Sequence, residues 1–242
     1  MEKTTLKDKV ALITGGGTGI GRGIALALAN EKAHIVVCGR RLDRIEKTIE
    51  QVWQAGAGGL AVQADVSKEE DVERLVKTTL ENYERIDILV NNAAISEGAP
   101  VYEMQLETWD RTIDVNLRGP FLMTRLVLPV MRKQRSGHII NISSESGLSY
   151  YDGDAAYGLS KHALNDFGEY VQRENQDYNI RVNTICPGMV VTEMSAGSAG
   201  LDESKCLYPE DIAELAIWLL TRRQNIKIGT PVLIQTMLNP WE

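Results

Sequence analysis

Cysteine is scarce in this sequence: three residues in 242. Cys38, Cys186 and Cys206 are odd in number and far apart, which excludes a disulfide framework and the paired spacing of a zinc site, so a metal is not expected and a reducing cytoplasm is the expected compartment. Long apolar runs are missing as well, and none approaches the ~18–20 residues that a membrane-spanning helix needs. The start, Met1-Glu2-Lys3-Thr4-Thr5-Leu6-Lys7-Asp8-Lys9, is polar and carries no secretory h-region. Positive charge is not in excess: 26 Lys+Arg against 33 Asp+Glu leave a net charge of −7. Neither nucleic acid nor an anionic membrane surface is therefore an expected partner. No Pro/Ser/Gly-rich linker and no internal repeat divides the chain. Since single α/β domains of ~200–250 residues are routine, residues 1–242 are expected to form one.

What is present is alternation. Short β-branched runs at Val10–Thr14, His34–Cys38, Leu60–Ala64, Ile86–Val90, His138–Ile142, Ile180–Cys186 and Val232–Ile234 read as strands. Helical periodicity fills the gaps: Ile24–Ala29, Leu42–Trp53, Glu69–Tyr83, a long stretch from Leu106 to Arg132, Ala155–Tyr178 and Pro209–Leu220. Strands apolar on both faces and separated by helices predict right-handed crossovers, hence a doubly wound three-layer α/β/α sandwich on a mostly parallel seven-stranded sheet. The irregular stretch is Ser195–Leu207, rich in Ser, Gly and Ala. It reads either as a lid over the carboxyl ends of the strands, where such sheets bind ligands, or as a plain surface loop.

The first strand runs into Thr14-Gly15-Gly16-Gly17-Thr18-Gly19-Ile20-Gly21 and then a helix. The literal G-x-G-x-x-G fingerprint is absent, and T-G-x-x-x-G-x-G stands in its place. Glycines between a first strand and first helix let a diphosphate approach the helix N-terminus, where free N–H groups and the dipole favour anions. Gly15, Gly17, Thr18, Gly19, Ile20 and Gly21 are the candidate contacts; a merely tight turn is the alternative. An acidic residue at the end of the second strand is also missing, and Arg40 and Arg41 occupy that place. An acid there would bind the ribose 2′-hydroxyl of NAD, whereas arginine accommodates the 2′-phosphate of NADP. NADP(H) is the expected cofactor, with NAD(H) as the alternative if the two arginines are simply solvated.

Tyr157-Gly158-Leu159-Ser160-Lys161 places a phenol and an ammonium at i and i+4, on one helix face. Bringing a phenol from a pKa of ~10 to ~7 takes roughly 4 kcal/mol, and a unit charge ~4 Å away at an effective dielectric of ~20 supplies about that. Lys161 is thus expected to lower the acidity constant of Tyr157. Ser144, just past the fifth strand, can donate to a carbonyl oxygen; ordinary loop capping is the other reading of Ser143 and Ser144.

With these residues the sequence resembles a short-chain dehydrogenase/reductase of the single-domain, ~250-residue type, over essentially the whole chain. The matching elements are the glycine turn, Asp65, Asn91-Asn92-Ala93-Ala94, Asn116, Ser144, Tyr157, Lys161, and Cys186-Pro187-Gly188 followed by Thr192. The resemblance implies a Rossmann-like fold and an NADP(H)-dependent oxidoreductase that interconverts a carbonyl and an alcohol by hydride transfer. By the same resemblance Tyr157 is the acid/base, Ser144 polarises the carbonyl, and Lys161 lowers the tyrosine pKa and holds the nicotinamide ribose. Asn116 continues a water-mediated proton relay, Asp65 and Val66 flank the adenine, and Asn91 secures its strand beside the cofactor. Asn92 and Ala93 join the cofactor contacts, and the stretch Pro187, Gly188, Val190 and Thr192 covers the nicotinamide. Homo-oligomers, dimers or tetramers built on two long central helices, are implied too. A nucleotide-binding sensor or scaffold without turnover is the rival, although it would be expected to have lost Ser144, Tyr157 or Lys161. Substrate stays open between 3-oxoacyl thioesters, polyols or sugars, and small hydroxy acids.

Pro120 lies four residues after Asn116 and has no N–H, so the Asn116 carbonyl is expected to lose its helical partner and to hold the relay water. Two departures from the family stand out. Ala94 replaces the usual glycine, and the C-terminal Val232-Leu233-Ile234-Gln235-Thr236-Met237-Leu238-Asn239-Pro240-Trp241-Glu242 lacks the common V-D-G-G ending. The short segment 193–208 points to a small or open substrate pocket. Trp53, Trp109 and Trp218 are expected in core or interface, and His138 and His162 to pack rather than react. Glu145, Tyr150, Tyr151, Asp152 and Asp154 are expected at the substrate mouth, where acids disfavour anions. Ala155, Ala156, Gly158, Ser160, Ala163 and Gly168 are small enough to let a partner helix approach.

Overall fold

The computed structural model describes residues 5–242; Met1 to Thr4, part of the polar start and of the expected domain, lie outside the described residues. Seven strands form one sheet: β1 (Val10–Thr14), β2 (His34–Gly39), β3 (Gly59–Gln63), β4 (Ile88–Asn91), β5 (Gly137–Ile142), β6 (Ile180–Pro187) and β7 (Val232–Ile234). Their spatial order is β3-β2-β1-β4-β5-β6-β7, and every pair is parallel. The helices are α1 (Gly19–Asn30), α2 (Leu42–Gln54), α3 (Glu69–Tyr83), α4 (Leu106–Ile113), α5 (Gly119–Gln134), α6 (Ala155–Asn175) and α7 (Pro209–Leu220). This is the expected Rossmann-like doubly wound arrangement.

Strand alternation builds its two cores. Ala11 and Ile13 of β1 face one cluster with Ile24 and Leu28 of α1 and Ile212 and Leu219 of α7. Val10 and Leu12 face the other, with Val72 and Leu75 of α3 and Met123 and Val127 of α5. Successive side chains of a strand point to opposite faces, so a run apolar at every position needs cover on both. The order reverses beside β1, where β2 departs to one side and β4 lies on the other. Such a switch point opens a crevice at the carboxyl ends of the strands.

The long helix expected from Leu106 to Arg132 is in fact two helices joined by a π-turn at Asp114–Arg118, in which the Gly119 N–H reaches back five residues to the Asp114 carbonyl. Helix periodicity in side chains is insensitive to one inserted residue, which is why the sequence read it as continuous. Of the two expectations for Trp53, core or interface, the core is ruled out: it is 59% exposed, its indole N–H donating to the Gly59 carbonyl at 3.3 Å. The apolar stripe of α2 is filled by Ile45, Ile49 and Val52, leaving the tryptophan at the rim. The small residues of α6 also divide differently from expectation. Ala156 and Ser160 are fully buried, and a Cβ on Gly168 would lie 2.6 Å from Thr184 Oγ1 of β6, so these three serve contact with the protein's own interior. His138 is buried beside Asn183, and His162 meets the Gly158 carbonyl, so both pack as expected.

Gly21 shows how closely α1 must approach the sheet end. A Cβ there would lie 2.4 Å from Asn92 Nδ2 and 2.6 Å from the Gly15 carbonyl oxygen. Alanine is favoured over glycine in a helix by ~1 kcal/mol, but overpacking against backbone costs ~1–3 kcal/mol. Gly21→Ala is expected to lower stability by about 1–2 kcal/mol, read as a lower urea midpoint at unchanged m-value.

Candidate active site

The glycine turn is held from the neighbouring strand. Asn92, at the end of β4, donates its Nδ2 to the carbonyls of Thr14 (2.9 Å) and Gly15 (3.1 Å). In return Thr14 Oγ1 accepts the backbone N–H groups of Asn92 and Ala93, both at 3.0 Å. Gly15 has φ +65°, a left-handed conformation that suits glycine. Thr18 caps α1 without a side-chain hydrogen bond to the first-turn amides, which stay available to a bound anion. Thr14, the first residue of the T-G-x-x-x-G-x-G turn, was not among the candidate contacts, and its hydroxyl ties the turn to the end of β4.

A cleft of about 410 Å³ runs over this turn. Gly15, Gly17, Thr18, Gly19 and Ile20 form its middle, with Asn92 and Ala93 beside them, and Tyr157, Lys161 and Thr192 stand at one end. Arg40, Arg41, Arg44, Asp65 and Val66 line it as well. Gly21 lies beneath, against Asn92, and does not line the cleft. Asp65 is occupied locally: its Oδ1 accepts from the Ser67 N–H and hydroxyl at 3.1 and 2.7 Å, and its own N–H donates to Asp71. Gly119 lets α5 close on Val66, since a Cβ would lie 2.9 Å from Val66 Cγ2.

Tyr157 and Lys161 do share one face of α6, with the ammonium 5.4 Å from the phenol ring centroid. Lys161 is 2% exposed, and its Nζ donates to the Ile142 carbonyl at 2.9 Å. Ser144 Oγ accepts the Ser146 N–H at 3.1 Å, the capping role, and the serine side chain is near enough to the Tyr157 phenol to lower its pKa. These contacts bear out the capping reading. Ser143 instead donates to the Lys161 carbonyl at 3.1 Å and ties β5 to α6.

The expected lowering of the tyrosine pKa is not what this geometry produces. Burial pushes the Tyr157 phenol up to about 12 against a smaller downward effect of Ser144, with the nearby Asp154 charge adding to the rise. Burial likewise pulls Lys161 down to about 8. Both charged forms lose hydration in the same enclosure, and this desolvation outweighs the attraction counted from spacing.

Asn116 is fully buried, and its amide clamps Ile95: Oδ1 accepts the Ile95 N–H at 2.9 Å, while Nδ2 donates to the Ile95 carbonyl at 2.9 Å and to Ser160 Oγ at 3.1 Å. The π-turn changes the carbonyl count. Pro120 lacks the donor that would serve Asn116 in an α-helix, but in a five-residue register that donor serves Val115. The carbonyl affected is therefore no longer assigned to Asn116 by spacing alone.

A second cavity, about 890 Å³, adjoins the first, and Tyr157, Ser143, Ile20, Thr192 and Met194 line both. Ser144, Pro187, Gly188 and Val190 line the second cavity. Of the two expectations from the short 193–208 segment, a small or an open pocket, this volume rules out the first. Residues 235–241 supply a wall that the loop does not, including Met237, Leu238 and Trp241. This tail is anchored to the loop: the Asp202 N–H donates to the Pro240 carbonyl at 2.8 Å, Thr236 Oγ1 to the Lys205 carbonyl at 2.7 Å, and Lys205 Nζ to the Glu242 carbonyl. Only the departure from the usual ending marked this segment in sequence. Glu145, Tyr151 and Asp154 reach the cavity as expected, whereas Tyr150 and Asp152 are absent from its lining.

The cleft's shape, its glycine floor and the cations at one end fit a nicotinamide dinucleotide. Residues 9–200 match the model of the short chain dehydrogenase family. An uncharacterized oxidoreductase of Staphylococcus saprophyticus is 39% identical over 227 residues, covering 93% of this chain and 96% of its own. Among solved structures, a levodione reductase superposes with TM-score 0.83 at 31% identity, over 88% of this chain and 91% of that one. An alcohol dehydrogenase of the archaeon Thermococcus sibiricus, complexed with 5-hydroxy-NADP, superposes with TM-score 0.87 at 28% identity over 95% and 97%. The chain belongs to the short-chain dehydrogenase family, oxidoreductases that use nicotinamide cofactors. Among the described residues no helix is long and apolar enough to cross a membrane, and no cluster of side chains could hold a metal ion.

The two opposed pKa shifts set a pH dependence. Lys161 is depressed from 10.5 to about 8, so the unfolded state binds more protons across that interval and stability rises with pH there. Tyr157 is raised from 10.0 to about 12, so from pH 10 the folded state holds the extra proton and stability falls. The buried Cys38 thiol, pushed from 9.0 up to about 12, opposes the lysine above pH 9. Urea unfolding without nucleotide is therefore expected to show the rise between pH 8 and 9, and Lys161→Met to flatten it.

Proposed function

We propose that this protein is an NADP(H)-dependent reductase of ketones or aldehydes, working reversibly on the corresponding alcohols, with one domain carrying both sites. The observation that carries this reading is that Tyr157 stands on the wall shared by the two cavities, with Ser144 beside it in the larger cavity and Lys161 over its ring. A nicotinamide bound in the cleft supplies the hydride, or accepts it in the reverse direction.

The Ser144 hydroxyl donates to the substrate carbonyl oxygen and polarises it. Tyr157, protonated through the neutral range, then gives its proton to the oxygen as negative charge develops there. The Lys161 ammonium, fixed by the Ile142 carbonyl, attracts the phenolate left behind and holds the sugar hydroxyls of the cofactor. Asn116, bonded to Ser160 beside Tyr157, keeps the relay path in place, and carbonyls of the π-turn hold its water. Gly15, Gly17, Thr18, Gly19 and Ile20 receive the diphosphate, Asp65 and Val66 the adenine, and Arg40 and Arg41 the 2′-phosphate. The NADP analogue carried by the Thermococcus sibiricus neighbour supports this choice of dinucleotide.

The lining of the larger cavity selects among the substrate classes. Met189, Met194, Met237, Leu238 and Trp241 give it an apolar body, and Glu145 and Asp154 are its charged groups, without any Lys, Arg or His. Small hydroxy acids are thereby disfavoured, because a substrate carboxylate meets two like charges and no counter-ion. Uncharged ketones and aldehydes with an apolar body fit best.

Tyr157→Phe is expected to lower kcat by about 10²–10⁴-fold, the contribution of a positioned proton donor, with NADPH affinity unchanged by fluorescence titration. Wild-type turnover in that variant would refute the mechanism. At an effective dielectric of ~20 each carboxylate several ångströms away repels an anion by a few kcal/mol before screening, so a ketone should exceed its matched keto acid at least 10-fold in kcat/KM. Glu145→Gln is expected to narrow that ratio.

A further inference from the structure

Glu193 follows Thr192 at the start of the loop that walls the larger cavity, and its carboxylate lies on the cations of the cofactor cleft. Arg41 Nη2 is 2.7 Å from Glu193 Oε2, and Arg44 Nη1 is 3.6 Å from Oε1. Arg41 caps α2 and Arg44 lies in its first turn, so the two guanidiniums reach one carboxylate from adjacent positions of a single helix end. All three residues line the same cleft as the glycine turn. The arginines hold the Glu193 carboxyl below its ordinary pKa, keeping it ionised at neutral pH.

We propose that Glu193 is a cofactor-specificity residue that competes with the 2′-phosphate of the dinucleotide for Arg41 and Arg44. The inference rests on the NADP(H) reading above and adds a residue to it. A ribose 2′-hydroxyl can enter with the carboxylate in place. A phosphate needs the same guanidinium donors and carries the same sign of charge, so its binding expels Glu193 from them. Discrimination between the two dinucleotides is therefore narrower than the arginines alone would set. Thr192 packs on the glycine turn, a Cβ at Gly19 lying 3.1 Å from Thr192 Cγ2, and both Thr192 and Met194 line the substrate cavity. Release of Glu193 thus frees the residue between these two wall positions, so the form of the cofactor is felt at the substrate wall.

Arg41 and Glu193 are 55% and 46% exposed, so the competition is modest in size: an exposed ion pair alters an equilibrium by a factor of up to about five, and removal of like-charge repulsion adds to it. The test is calorimetric titration of the full chain, at low ionic strength, with adenosine 2′,5′-bisphosphate and with 5′-AMP. Glu193→Gln is expected to tighten the bisphosphate about 3–10-fold and to change AMP less than twofold, while Arg41→Ala weakens the bisphosphate selectively. Unchanged bisphosphate affinity in Glu193→Gln would overturn the proposal. Weaker binding would overturn it too, by showing that the carboxylate positions Arg41 for the phosphate. If wild-type protein and Arg41→Ala bind the two fragments equally, the NADP(H) reading itself fails and this inference with it.

Discussion

An ammonium buried without a carboxylate is the constraint on which the rest of this site depends. Lys161 is 2% exposed and meets the Ile142 carbonyl and the face of the Tyr157 ring. Removing a charge from water costs several kcal/mol unless hydrogen bonds and opposite charge replace the lost hydration. A carbonyl dipole and a ring quadrupole replace only part of it, which is why burial draws the lysine towards its neutral form. The site therefore stabilises any electron-rich group placed beside Lys161. A phenolate forming on Tyr157 answers that need, and so do sugar hydroxyls. The strain of the lysine and the reluctance of the phenol to ionise have one origin and are relieved by the same event, a shift of negative charge onto the tyrosine oxygen.

Holding that arrangement requires three strand ends to keep their places. Asn92, just past β4, staples the turn after β1, and Thr14 returns the bond; Asn91 donates to Asn141 of β5, and Ser143 fastens the end of β5 to α6. Each link joins elements distant in sequence. Parallel order places all their carboxyl ends on one side, so a few short polar bonds at that rim fix the floor of the cleft relative to Tyr157.

The sheet, its order of elements and the pairing of Tyr157 with Lys161 were legible because periodicity and i, i+4 spacing are local properties. The π-turn at Asp114–Arg118 was not, since one added residue barely alters a helical pattern of apolar positions. Spacing also misjudged the tyrosine: it reports how near a charge lies and says nothing of how much water surrounds both groups. The core reading of Trp53 failed for a related reason: the buried stripe of α2 is already filled by Ile45, Ile49 and Val52. The wall formed by residues 235–241 lies at the opposite end of the chain from the glycine turn. Its approach to the 193–208 loop depends on hydrogen bonds to backbone carbonyls, which no sequence motif announces.

Charge is sorted along the joined cavities in a way that net composition conceals. The overall balance is −7, yet Arg40, Arg41 and Arg44 collect in the cleft over the glycine turn, and Glu145 and Asp154 in the larger cavity. An anion approaching the rim is drawn to the first region and repelled from the second. Tyr157 stands between these regions, and the nearby Asp154 charge adds to the rise in its pKa. A carboxylate that places negative charge in the larger cavity thus also favours the protonated form of the phenol.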